Sequence, residues 1–157
     1  MKRLLSGLFA AGSLVVLLVA VTAWGKPGGE HDHKGGKTIT VIEHATTDET
    51  TDTGANGDSA GDILTFANDV FNKTDTHKVG TDQGYCIRTV AGVSYECNFT
   101  TILEGGSIVV EGPFYDAKDS VLAITGGTGR YRRARGSMKL SARENGTKFA
   151  FAFHVVR

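Results

Sequence analysis

The stretch Ile124–Gly136, ITGGTGRYRRARG, sets three glycines within four residues ahead of four arginines within six. Its reading separates two fold classes. A phosphate loop requires GxxxxGK[ST] between a strand and a helix, and a dinucleotide fingerprint requires GxGxxG opening a helix. Here Gly127-Thr128-Gly129 runs into Arg130-Tyr131-Arg132, without the third glycine and without an amphipathic helix behind it. The glycines instead suit a sharp turn at a strand end, where positive φ is needed. GRYRRAR then plugs or rims one end of a sheet structure before Gly136 starts the next strand. Most of the arginines belong in water; Arg135 is a candidate cavity or rim cation, able to pair with a carboxylate.

Outward from that turn, β-rich runs recur between turn signals, with no helical period among them. They cover Thr38–Thr46, Asp62–Phe71, Gly84–Val90, Val93–Leu103, Ser107–Phe114, Ser120–Thr125, Gly136–Arg143 and Lys148–Val156. Eight strands with mostly hairpin-length links predict an all-β, eight-stranded antiparallel up-and-down barrel, whose closure removes exposed edges. Alternation then assigns the interior. Phe149, Phe151, Phe153 and Val155 share a face, as do Leu64, Phe66, Asn68 and Val70, and Ile39, Val41, Glu43 and Ala45. Two apolar faces thus each carry one polar exception, Glu43 and Asn68. The acidic run Thr47–Gly61, TDETTDTGANGDSAG, reads as a solvated, mobile rim.

Ahead of this domain, Lys2 and Arg3 precede an uncharged run from Leu4 to Gly25 that ends in small residues. That is the pattern of a secretory signal peptide over 1–23, with cleavage after Ala23 or after Gly25. The run is also long enough for a retained bilayer anchor. Residues 24–37 read as a flexible Gly/His-rich linker. Its His31-Asp32-His33 triplet is too small a donor set for a metal site and is taken as solvated. The domain proper is 38–157. Of 17 basic and 17 acidic residues in the whole chain, loss of Lys2 and Arg3 leaves 15 against 17. This balance offers no general attraction for nucleic acid, nor for a membrane once the leader is cut. Sequons begin at Asn72, Asn98 and Asn145 and matter only in a host that glycosylates secreted proteins. Reversal of the chain about Ala91-Gly92 sets Cys86 opposite Cys97, within disulfide reach and in an exported context. Two free thiols are the alternative.

Several motifs carry a resemblance. Ser107–Gly127, SIVVEGPFYDAKDSVLAITGG, resembles the signature region of allene oxide cyclases. GDILTFANDVF (Gly61–Phe71) and GTDQGYC (Gly80–Cys86) resemble the second and third strands of the same enzymes. GGTGRYRRARG (Gly126–Gly136) is similar to plant dirigent proteins, which share the barrel. The resemblance implies a trimer of barrels with an apolar cavity open at one end. It further implies cyclisation of a fatty-acid epoxide without a cofactor. The family's strand-one glutamate falls on Glu43, its second-strand asparagine on Asn68 and its cavity cysteine on Cys86. The asparagine expected two residues after the glutamate is Ala45, and the family's Ser-Pro segment is replaced by the Thr47–Gly61 run. A Cys86–Cys97 disulfide would make Cys86 structural.

The combined expectation is an exported barrel that binds a hydrophobic small molecule and acts as a cofactor-free cyclase or isomerase. Glu43 and Asn68 would be catalytic, with Phe66, Cys86, Phe149, Phe151 and Phe153 lining the cavity and no metal. A dirigent-like module that steers a reactive ligand, and a secreted scaffold without a ligand, are the other readings.

Overall fold

The computed structural model describes residues 36–156. The signal peptide, the linker as far as residue 35 and the His31-Asp32-His33 triplet lie outside them. The strands are β1 (Lys37–His44), β2 (Glu49–Thr51), β3 (Ile63–Asn72), β4 (Lys78–Val90), β5 (Ser94–Leu103), β6 (Gly106–Tyr115), β7 (Ser120–Gly127), β8 (Arg135–Arg143) and β9 (Lys148–Val156). All pairings are antiparallel, and neighbours in sequence pair in order from β2 to β9. β1 joins both β9 and β3, so eight strands close and the short β2 rides on the edge of β3. This is the expected closed eight-stranded antiparallel barrel.

Alternation explains the filling. Val41 and Glu43, Asn68 and Val70, and Phe151, Phe153 and Val155 are all buried, while their sequence neighbours on these strands are more exposed. Ile108, Val110, Leu122 and Met138 complete the packed interior from β6, β7 and β8. At the end where β1 enters, Tyr131 and Ala134 of the Gly–Arg stretch are buried and close the barrel. A short 3-10 turn at Gly129–Tyr131 makes that inward bend, with φ 54° at Gly129. Arg130, Arg132, Arg133 and Arg135 are exposed there.

Two departures bear on the site. β4 begins at Lys78, six residues ahead of the expected Gly84, because the Gly80–Gly84 spacing imitates a turn. Its glycines are instead places of close approach: a Cβ on Gly84 would run into Phe99 on β5. Gly84 pairs with both Phe66 and Phe99, whose rings meet edge to face at 5.7 Å in the space it leaves. The acidic run, expected to be a mobile rim, is tied down. β2 pairs with β3, and Asp62 accepts hydrogen bonds from the Thr53 and Ser59 amides. Asp58 reaches Arg88 at 2.6 Å.

Candidate active site

The open end is framed by the C-terminal ends of β4, β6 and β8 and the N-terminal ends of β5, β7 and β9. Behind it a cavity of about 40 Å³ is walled by Leu64, Phe66, Phe99, Phe114, Leu140, Phe149 and Phe151, with Cys86 and Cys97 on one side. Among the described residues, Glu43 and Asp48 are its only charged lining residues. The cavity is a neck: Asp48, Leu64, Phe114, Leu140 and Phe149 also line a vestibule of about 700 Å³ outside it. The aromatic walls interlock, Phe114 on Phe149 edge to face at 5.8 Å and Phe99 on Phe151 at 5.6 Å.

Strand alternation delivers Glu43 to this neck. Its side chain is 4% exposed, and its Oε1 accepts a hydrogen bond from Asn68 Nδ2 at 2.9 Å. Burial pushes the carboxyl from 4.5 up to about 7; the Asn68 hydrogen bond opposes the rise and the Asp48 charge adds to it. Glu43 is therefore poised to hold or release a proton near neutrality.

Asn68, 1% exposed, spends its whole amide on protein. Its Nδ2 donates to Glu43 and, at 2.7 Å, to Asp48 Oδ1. Its Oδ1 accepts from the Thr46 amide, the Thr47 amide and the Thr47 hydroxyl at 3.0, 2.9 and 3.0 Å. The amide thereby joins the acidic loop to the buried glutamate.

Sequence reasoning passed over three residues here. Asp48 lay in the run read as rim. Asp82 is wholly buried opposite Asn68 and accepts a hydrogen bond from the Thr101 hydroxyl at 2.7 Å. Burial pushes Asp82 well above the usual carboxylate range and Glu43 adds to the rise, against the pull of Thr101. Its Oδ2 has no partner. A period-two count back from Cys86 through Gly84 reaches Asp82, and the same count forward reaches Arg88. Arg88 is a rim cation: it donates to both oxygens of Asp116 at 2.9 and 2.7 Å and lies 3.6 Å above the Tyr95 ring.

Of the expected set, Glu43, Asn68, Phe66, Cys86, Phe149 and Phe151 converge at or beside the neck. Phe153 does not line it; fully buried, it packs edge to face behind Phe151 at 6.3 Å. Arg135 is neither in the cavity nor at its mouth. It sits at the opposite end of the barrel, exposed, with Nη1 donating to the Ala134 carbonyl, because β8 begins there. Cys86 and Cys97 are directly paired in the β4–β5 ladder and form a disulfide, so Cys86 is held as structure in the cavity wall. Among the described residues, no group of three or more His, Cys, Asp and Glu side chains is arranged to hold a metal ion.

Solved structures share this architecture. A pyocyanin demethylase is 24% identical, with a TM-score of 0.68 over 76% of this chain and 99% of its own. A pterocarpan synthase dirigent protein is 17% identical, with a TM-score of 0.58 over 77% and 90%. An exo-specific intermolecular Diels–Alderase is 14% identical, with a TM-score of 0.62 over 77% and 98%. At these identities the likeness speaks for the fold. The family model described as allene oxide cyclase matches residues 39–156, most of the chain, and the protein belongs to that family.

Proposed function

We propose that the protein is a cofactor-free isomerase or cyclase that takes a small, largely apolar molecule into the funnel and acts on it with Glu43. The observation that carries this is the Glu43 carboxyl: almost fully buried, held by Asn68 through one oxygen, and set in the wall of an otherwise apolar neck. In such surroundings charge and proton transfer act strongly on a ligand, because little water competes. The aromatic walls favour a flat or conjugated compound. The names of the structural neighbours, a pyocyanin demethylase and a Diels–Alderase, support ring-containing substrates. Asn68, with its amide consumed by protein, acts as a positioning residue for Glu43.

The apolar leader and the disulfide support an exported protein. Val79, Tyr85, Ile87 and Ile102 are uncovered on the outer face of β4 and β5, which supports packing against further copies in a homotrimer.

Native mass spectrometry of protein purified from its own host tests the reading, followed by turnover of the co-purifying compound. A bound hydrophobic molecule, converted by the wild type and left unchanged by Glu43→Gln, is the expected result. Conversion that is untouched by Glu43→Gln, or a barrel that takes up no ligand, overturns it.

A further inference from the structure

We propose that Asp48 is a second catalytic residue, the proton acceptor opposite Glu43 as proton donor, and that the substrates are conjugated or aromatic carbonyl compounds isomerised by proton transfer. This rests on the funnel reading above and adds a residue and a reaction class to it.

The geometry comes from one amide. The two N–H groups of Asn68 Nδ2 point to different carboxylates, Glu43 Oε1 at 2.9 Å and Asp48 Oδ1 at 2.7 Å. In a planar NH₂ group the two donors diverge by roughly 120°, which sets those oxygens about 5 Å apart. The amide cannot be turned over. Its oxygen accepts from two backbone N–H groups and a hydroxyl, and a flip would face donors with donors and set that oxygen against two carboxylates. Asn68 thus fixes a carboxylate pair, and both members line the neck.

The two members differ in surroundings. Glu43 is buried on β1, whereas Asp48 is exposed on the loop and also lines the vestibule. Two carboxyl groups in unlike environments divide into an acid and a base. The titratable groups facing Glu43 are Asp48 from the loop and Asp82 from β4. β8 and β9 present Leu140, Phe149 and Phe151 on the remaining sides.

In the proposed step a C–H bond next to the ligand carbonyl breaks and its proton passes to the Asp48 carboxylate. The electron pair of that bond forms the C=C bond of an enol, and the carbonyl oxygen takes the Glu43 proton. Return of a proton to the same or a conjugated carbon, with Glu43 recovering its own, completes the exchange or the isomerisation. No oxidant, reductant or further reactant is consumed.

2-Tetralone, a compact aromatic ketone with an acidic benzylic C–H, serves as the probe. Its binding is followed by ligand-observed NMR, and its deuterium uptake at the benzylic carbon in D₂O by the same spectra. The wild type should exchange faster than buffer, and Asp48→Asn and Glu43→Gln should each slow it by at least about tenfold, within the range for one general acid or base. Asp48→Glu should restore part of the rate. The wild-type rate should fall as pH rises past about 7, where Glu43 loses its proton. Asp48→Asn should also move the Glu43 midpoint, read by carboxyl ¹³C NMR, downward as a neighbouring negative charge is removed. Bound 2-tetralone that exchanges equally in the wild type and Asp48→Asn overturns the role of Asp48 and leaves the funnel reading standing. Failure of 2-tetralone to bind at all overturns both.

Discussion

Replacing Glu43 with Gln should make the protein more stable at alkaline pH, not less. The folded state raises the Glu43 pKa from 4.5 to about 7, so it binds this proton more tightly than the unfolded chain does. Stability from this group is then fully present below 4.5 and is lost as pH rises through 7. The difference between the two pKa values corresponds to about 3 kcal/mol, all of it missing by about pH 8.5. Gln is nearly isosteric with the protonated acid and can still accept from Asn68. At about pH 4 the variant should therefore match the wild type to within roughly half a kcal/mol. At about pH 8.5 it should be more stable by about 3 kcal/mol, or roughly 10 °C in Tm for a domain of this size. Asp82 slopes the same way, whereas Asp75 and Asp119, held below the usual carboxylate range by Lys148 and Lys139, slope the other way. Asp75 and Asp119 largely cancel in the difference between variant and wild type, whereas Asp82, whose rise the Glu43 charge feeds, adds to it in the same direction. Urea unfolding at the two pH values, with the disulfide intact, measures that difference. Parallel stability curves for the two proteins would refute a folded-state Glu43 that keeps its proton up to about pH 7.

Three further outcomes are expected. Changing both Cys86 and Cys97 to Ser should cost about 3 kcal/mol in urea unfolding, from the entropy of a loop closed across a separation of 11 residues. Asn68→Ala leaves the Thr46 and Thr47 amides and two carboxylates without their shared partner. It should cost about 3 kcal/mol and speed hydrogen exchange at Thr46 and Thr47. Arg88→Gln releases Asp58 and Asp116 together, so amide exchange across 52–61 should accelerate while overall stability falls by about 2 kcal/mol.

The parts of this molecule visible in its sequence are those governed by period two. Phe149, Phe151 and Phe153 announce a buried face. The same rule makes Glu43 and Asn68 conspicuous, since a charged or amide group in an apolar row requires a partner. Ala91-Gly92 likewise fixes the register that pairs the cysteines. What escaped depends on contacts distant in sequence. Asp48 sits in a stretch without periodicity, and it is placed by an amide 20 residues away. β2 forms because β3 offers it an edge, not because Glu49–Thr51 demands a strand. Asp82 was hidden by the glycines on either side of it, which read as a turn until Phe66 and Phe99 are seen to fill the space beside Gly84. The arginine cluster offers a carboxylate partner, and by composition alone Arg135 suits the cavity mouth as well as any other end. The strand direction of β8 decides the matter, and it sets that cluster at the end away from the mouth.

One consequence of the shared amide joins the acid to the loop. Glu43 and Asp48 accept from the same nitrogen, so a negative charge arriving on Glu43 repels the carboxylate that helps hold the loop. Ionisation of Glu43 should therefore weaken the Asp48–Asn68 contact, and by reciprocity any displacement of Asp48 should favour the charged glutamate. The Thr47, Asp48 and Glu49 amide resonances should then shift with pH along a curve whose midpoint is about 7, the value for Glu43. Glu43→Gln tests the source: the loop transition should vanish in that variant if it originates in the glutamate. Persistence would mean that the amide holds the loop independently of the acid, and that Asn68 is a structural clamp alone.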